Sequence, residues 1–149
     1  MKRLCGFLLI LMFVLASCTG EAETYTCTFS ISCEELVGSE LLDENKRELV
    51  PVDGYVFPTS TVTFTEGESV FDVLARVCRE QKIHLEYSKV PGYGTSYIEG
   101  IANIYEFDAG ELSGWVYTVN GESVNYGSSS YILKNGDIVK WNYTVDGIR

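Results

Sequence analysis

Residues 66–81 read EGESVFDVLARVCREQ, and this stretch decides the fold because it is the clearest helix in the sequence. Ser69 is a suitable N-cap, and Asp72, three residues later, completes a capping box. The stretch predicts one amphipathic helix that begins after Ser69 and frays near 81–82. Its buried face consists of apolar residues at helical spacing, namely Val70, Val73, Leu74, Val77 and Cys78.

The segments before the helix have the pattern of β-strands. In residues 25–33, apolar residues and cysteines alternate with Thr and Ser, which is typical of a strand with one buried face. Residues 34–53 are acidic and irregular, and predict a loop or a short helix around 36–44. Two short strands are expected at 55–57 and 61–65, separated by Pro58.

The segments after the helix also predict strands. We expect a polar connection at 103–113 and a tight turn at Asn120-Gly121. Trp141 and Tyr143 share one face of the last strand and are expected in the core. One helix among about seven strands indicates an α+β fold, with one main helix packed on a mixed sheet. The strands are predicted at 84–88, 95–101, 114–119, 130–133 and 138–143.

Three cysteines, Cys27, Cys33 and Cys78, are predicted to face inward. Cys27 and Cys33 lie about 20 Å apart on an extended strand, so they cannot bond to each other. Cys78 either forms a disulfide with Cys33, or with Cys27, or all three are small buried thiols. The sequence leaves these alternatives open.

The first 18 residues have the features of an export signal. Two basic residues precede an uncharged apolar run at 4–16, which is shorter than the roughly 20 residues that a membrane span needs. The run ends in LASC at 15–18, which resembles the lipobox of bacterial lipoproteins. We therefore expect a signal peptide at 1–17, a lipid of the palmitate type on Cys18, a tether at 18–24 and a single domain at 25–146. The expected location is the extracytoplasmic face of the cell membrane of a Gram-positive-type bacterium.

The charge excludes some partners. Without residues 1–17 the chain has nine basic and 21 acidic residues, a net charge of −12. Such a surface repels phosphate backbones and anionic headgroups, so we expect no nucleic-acid partner. The lipid on Cys18 is then the expected link to the membrane.

The sequence does not predict a catalytic or metal centre. His84 is the only histidine and alternates with apolar neighbours, so it is expected to face solvent. A nucleophile and base pair of Cys78 and His84 is disfavoured because Cys78 belongs to the buried helix face. Asp108 and Glu111 lack EF-hand spacing. We therefore expect a protein that is not an enzyme and binds no metal.

Aromatic residues are abundant after residue 86. Tyrosine and tryptophan combine large contact area with few rotatable bonds and are favoured at binding surfaces. Tyr93, Tyr126 and Tyr131 lie beside glycine or serine, so they are expected to be exposed.

The segment 62–143 resembles the transcobalamin-like C-terminal domain family, a β-grasp-type module. The matching stretches are EGESVFDVL at 66–74, YGTSYI at 93–98, GWVYTVNG at 114–121 and YILKNGDIVKW at 131–141. The resemblance implies a β-grasp-like mixed sheet and a role in binding or capping a ligand. The resemblance makes cobalamin or another corrinoid the candidate ligand. It does not imply a cofactor apart from this ligand. The matching stretches and the aromatic residues after residue 86 together give the candidate ligand-binding residues, which are Tyr93, Tyr97, Trp115, Tyr117, Asn120, Tyr126 and Tyr131.

Two functions compete at this point. A small-molecule-binding lipoprotein, passing a ligand to a transporter, predicts a concave aromatic patch. A cell-surface interaction module without a small-molecule ligand, docking on another envelope protein, predicts a flat or edge-strand patch and no pocket.

Overall fold

The computed structural model describes residues 23–89, 92 and 94–147. Within this part of the chain, the strands are β1 (Thr24–Ser32), β2 (Tyr55–Thr65), β3 (Leu85–Lys89), β4 (Ser96–Ile101), β5 (Ile104–Tyr105), β6 (Gly114–Val119), β7 (Glu122–Ser123) and β8 (Ile138–Thr144). The helices are a 3-10 turn at Glu34–Leu36, α1 (Glu44–Arg47) and α2 (Val70–Gln81).

The strands form two sheets. The larger has the order β2-β1-β8-β6-β7 and the smaller the order β3-β4-β5. β1 and β8 are parallel, and the other pairs are antiparallel. The expected α+β architecture, a mixed sheet with one main helix, is therefore confirmed.

The helix forms as its sequence predicts. The Ser69 hydroxyl accepts a hydrogen bond from the Asp72 N–H at 3.2 Å, and the Ser69 N–H donates to Asp72 Oδ2 at 2.8 Å. The helix ends at Lys82, whose φ of 57° is left-handed. All five residues of the predicted apolar face are buried in the same core as the larger sheet.

Strand register collects the aromatic residues of the larger sheet on the core face. Ile31 lies beside Trp141, which lies opposite Tyr117 on β6. Trp115 lies opposite Tyr143, with ring centroids 5.3 Å apart in an edge-on arrangement. Trp141 and Tyr143 are buried as predicted.

Pro58 does not divide two strands, contrary to prediction. The chain is one strand, β2, from Tyr55 to Thr65. The strand tolerates Pro58 because it lies at the edge of the sheet, where an N–H on the outer side needs no partner.

The strand predicted at 130–133 was also wrong. This segment instead supplies main-chain partners for the start of α2, whose first N–H groups have none within the helix. The Val70 N–H donates to the Tyr131 carbonyl at 3.0 Å, and the Phe71 N–H to the Ser128 carbonyl at 3.1 Å. A single bridge between Ser69 and Ile132 is the β-pairing that remains.

Cys27, Cys33 and Cys78 are free thiols, and all three are buried. Neither of the disulfides considered above, Cys33–Cys78 or Cys27–Cys78, is formed. The alternative of three buried thiols is the one that the structure has.

None of the helices in the described residues is both long and apolar enough to span a membrane. The predicted signal at 1–17 and the lipidation site Cys18 lie outside the described residues.

Candidate functional site

A cleft of about 680 Å³ lies between β4 and β6. One side is formed by residues 95–98, from the start of β4, and the other by residues 115–117 of β6. Residues 123–128, which begin at the last residue of β7, close the cleft at one end. The C-terminal half of β8 contributes Trp141, Asn142 and Thr144. The site is therefore concave, as the small-molecule hypothesis predicts.

Four of the seven predicted ligand-binding residues line this cleft, and two, Asn120 and Tyr131, do not. Tyr131 lies behind Tyr126, and the two rings stack at 6.1 Å with an angle of 12° between their planes. Asn120 is at a turn elsewhere, and Tyr93 lies outside the described residues. The four in the lining are Tyr97, Trp115, Tyr117 and Tyr126.

Asn120 has a structural role. Its backbone φ is 54°, which the tight turn between β6 and β7 requires. Its side-chain amide donates to Asp137 Oδ1 at 3.0 Å, and its Oδ1 accepts from the Ile138 N–H at 2.9 Å. Because both ends of the amide are engaged, Asn120 fixes the turn and does not line the cleft.

Tyr117 is held in place by two contacts. Its ring stacks on Trp141 at 5.2 Å, and its hydroxyl donates to the Tyr126 carbonyl at 2.8 Å. Burial raises the pKa of Tyr117 well above its ordinary value. This residue therefore links the sheet to the loop at 123–128 as a neutral phenol.

Tyr97 lies on the opposite side of the cleft and donates a hydrogen bond to the carboxylate of Glu106. The pKa of Tyr97 is raised to about 12, mainly by burial and next by this hydrogen bond. Both phenols are thus uncharged at neutral pH and can serve as hydrogen-bonding groups.

Two buried polar atoms of the cleft residues have no hydrogen-bond partner among the described residues. They are the Ser128 hydroxyl and the Trp141 indole N–H, and each residue is only 2 % exposed. Buried polar groups are almost always paired, because an unpaired one costs about 1–3 kcal/mol. The indole N–H of Trp115 illustrates the usual case, since it donates to the Ile104 carbonyl at 2.8 Å.

Sequence reasoning missed part of this site. Trp141 was assigned to the core alone, and Ser128 was not among the predicted ligand-binding residues. The residues at 95–96 and 123–125 belong to no motif that marks a binding site. They line the cleft because the fold places their segments there. Glu35 was missed for the same reason, although it is the one charged residue that lines the cleft within the described chain.

The described residues contain no group of three or more His, Cys, Asp or Glu side chains that could hold a metal ion. Asp108, weighed above as a calcium ligand, has other partners. Its carboxylate accepts from Lys46 and from the Tyr105 N–H.

The three buried thiols give a test of the core. Burial raises the pKa of Cys27 and Cys33 to about 11 and that of Cys78 to about 12. Since only the thiolate is nucleophilic, we expect iodoacetamide at neutral pH to label these cysteines after unfolding in urea but not before. The detection of a disulfide-linked Cys33–Cys78 or Cys27–Cys78 peptide by mass spectrometry would contradict this expectation.

The same shifts predict a loss of stability in alkali. Between about pH 9 and pH 12 the unfolded chain releases thiol protons that the folded chain retains, so stability falls as pH rises through this range. Below pH 9 the thiol contribution is fully present.

The model of the domain of unknown function DUF4430 matches residues 67–145, which is more than half of the chain. The chain belongs to the DUF4430 family. The match includes α2, β6 and β8 and most of the cleft. No curated protein sequence matches this DUF4430 chain.

Two solved structures resemble the DUF4430 chain. Haptocorrin in complex with Cbi aligns with a TM-score of 0.61 at 14 % identity, over 86 % of this chain and 26 % of haptocorrin. A proposed metal-binding protein from Ruminococcus gnavus ATCC 29149 aligns with a TM-score of 0.46 at 14 % identity, over 83 % of this chain and 99 % of the other. The first likeness confirms the transcobalamin-like fold expected from the sequence. The DUF4430 chain spans about a quarter of the length of haptocorrin.

Proposed function

We propose that this DUF4430 protein is an extracytoplasmic lipoprotein, held by a lipid on Cys18, whose cleft binds a small planar molecule. A corrinoid is the candidate ligand, and the proposed role is binding or transfer without catalysis. An envelope protein or transporter is the proposed recipient of the ligand.

The observation that carries this proposal is the composition of the cleft. Five aromatic side chains line it, one of which is Trp141. The buried polar atoms of Trp141 and of a sixth lining residue, Ser128, have no partner among the described residues. Ligand sites in proteins are typically about 300–1,000 Å³ and combine apolar walls with a few polar groups. A ligand with hydrogen-bond acceptors that reached these two residues would satisfy atoms that the fold leaves unpaired.

The choice of a corrinoid is supported by two likenesses. The sequence resembles transcobalamin-like C-terminal domains, and the fold is similar to part of haptocorrin, whose structure contains Cbi. Because this chain spans only about a quarter of haptocorrin, it would contact such a ligand on one face. We therefore expect weak binding by the isolated chain, or a partner chain that completes the site.

The proposal is tested by titrating the purified protein with cobinamide and with cobalamin, and following the change in corrin absorbance. We expect saturable binding at submillimolar concentrations. Tyr126→Ala removes an exposed cleft ring and is expected to weaken binding about 3- to 10-fold, the usual worth of one aromatic contact.

Tyr87→Ala is the matched control. Tyr87 is similarly exposed and also packs against another ring, that of Phe71 at 4.7 Å, but it does not line the cleft. Its replacement should leave the dissociation constant unchanged. An absence of spectral change with either corrinoid, or an equal loss in both variants, would set the corrinoid proposal aside.

A further inference from the structure

Two buried serines of this fold differ in their partners. The Ser113 hydroxyl donates to the Gly110 carbonyl at 2.8 Å and accepts from the Ala109 N–H at 3.1 Å. Ser128 is buried to the same degree, at 2 % exposure against 3 %, but its hydroxyl has no hydrogen-bond partner among the described residues. Of the two, only Ser128 lines the cleft. The unpaired hydroxyl therefore belongs to the cleft and is not a general feature of buried serines in this fold.

The two tryptophans show the same difference. Trp115 donates its indole N–H to the Ile104 carbonyl, whereas the indole N–H of Trp141 has no partner within residues 23–89, 92 and 94–147. An indole nitrogen can only donate, so only an acceptor can satisfy Trp141. Because the unpaired atoms of Trp141 and Ser128 are both buried, an acceptor that meets them has to leave bulk water.

The charge of the cleft restricts which acceptor can be taken in. Among the described residues, the lining contains no lysine or arginine and one carboxylate, that of Glu35. Glu35 Oε2 accepts the Val145 N–H at 2.9 Å, which holds this carboxylate at the cleft. A second carboxylate, that of Glu106, binds the lining residue Tyr97. An anion in the cleft would therefore lose hydration and meet negative charge without a cation to pair with.

Two effects oppose each other for an anionic acceptor. Hydrogen-bond strength alone favours an anion, since N–H and O–H groups donate more strongly to a carboxylate than to a neutral carbonyl. The loss of hydration outweighs this gain, because a buried charge without a counter-ion costs much more than a buried amide whose hydrogen bonds are made. A carboxamide offers a carbonyl acceptor without a charge, and its N–H groups are compatible with negative surroundings.

We infer that the cleft is specific for a neutral carboxamide group of its ligand and excludes carboxylate and phosphate groups. Carboxamide oxygens accept from the indole N–H of Trp141 and the hydroxyl of Ser128, and Glu35 disfavours an anion. The inference rests on the proposed ligand-binding function and adds the chemical group that the ligand has to present. It does not require the ligand to be a corrinoid.

Benzamide and benzoate test this inference because they have nearly the same planar shape and differ in charge. Each is added to the isotope-labelled full protein, and the indole N–H signals of the two tryptophans are followed by NMR. We expect benzamide to shift the Trp141 signal in a saturable manner, and to shift it more than that of Trp115, whose N–H is already bonded. Benzoate should bind at least fivefold more weakly.

Three variants identify the groups involved. Ser128→Ala should weaken benzamide binding about 3- to 10-fold, the usual worth of one hydrogen bond, without lowering the urea midpoint of unfolding. Ser113→Ala is the matched control, and it should lower that midpoint but leave benzamide binding unchanged. Glu35→Gln keeps an acceptor for the Val145 N–H and removes the charge, so benzoate should then bind within about twofold of benzamide.

The inference is overturned if benzoate binds as tightly as benzamide, or if Ser128→Ala leaves binding unchanged. It is also overturned if benzamide at about 50 mM does not move the Trp141 signal, since a fragment of this size reaches a dissociation constant of roughly 10 mM. Cobinamide is titrated into the same sample. A response to benzamide but not to cobinamide contradicts the corrinoid proposal alone, whereas cobinamide binding that leaves the Trp141 signal in place contradicts this inference alone.

Discussion

Replacement of Phe29 by alanine is expected to lower the free energy of unfolding by about 3–5 kcal/mol, the usual cost of removing a buried phenylalanine ring. Phe29 is fully buried at the centre of β1, between β2 and β8. It lies beside Val139 of β8 and contacts the ring of Phe57 at 6.4 Å. The loss therefore combines lost burial with a cavity that neighbouring strands cannot fill. Urea denaturation followed by circular dichroism measures it.

Phe107→Ala is the control for this prediction, because it deletes the same atoms from a side chain that is 61 % exposed. Its effect should stay within about 0.5 kcal/mol, as for most surface substitutions. Similar losses for the two variants would mean that the core is not organised around β1 as described.

Replacement of Gly54 by alanine is expected to cost about 3 kcal/mol. The φ of Gly54 is +75°, a left-handed conformation that costs an L-residue about 1–2 kcal/mol. In addition, a Cβ atom at this position would lie 2.7 Å from the Cα of Glu34, a main-chain atom that cannot turn aside. The Gly54 carbonyl also accepts the Cys33 N–H at 2.7 Å, so the clash falls on a segment that is already bonded.

Gly38→Ala separates the two causes. Gly38 has a similar φ of +70°, but nothing lies within 4 Å of its added Cβ. It should cost only about 1 kcal/mol, which is the backbone term alone. If both variants lost the same stability, the contact with Glu34 would have no energetic weight. Since Glu34 precedes the cleft residue Glu35, the Gly54 variant should also weaken the proposed corrinoid binding.

The sequence predicted those parts of the fold that are determined locally. Ser69 and Asp72 define the start of α2 by their own hydrogen bonds, and Asn120-Gly121 defines the β6–β7 turn by its backbone preference. The prediction that Pro58 separates two strands was wrong because the effect of a proline depends on whether the strand is central or at an edge. The strand predicted at 130–133 was wrong because the main chain of this segment forms hydrogen bonds with the start of α2, some 60 residues earlier in the chain.

The site was predictable only as far as side chains reveal it. Tyr97, Trp115, Tyr117 and Tyr126 were identified because large aromatic residues mark binding surfaces. The residues at 95–96 and 123–125 could not be identified, since only the path of the chain brings them to the cleft. The closing of the cleft also depends on close packing, as at Gly127, where a Cβ would lie 2.5 Å from the Cβ of Thr95.

The parallel pairing of β1 and β8 fixes which way the domain would present itself above a lipid bilayer. The Ser32 end of β1 aligns with Asn142 of β8, beside the cleft, whereas Thr24 lies at the other end, about 30 Å away for nine extended residues. A chain held by the proposed lipid on Cys18 would therefore carry the cleft at the end of the sheet that is remote from the bilayer. On that proposal, molecules arriving from outside the cell would reach the cleft before they reached any headgroup.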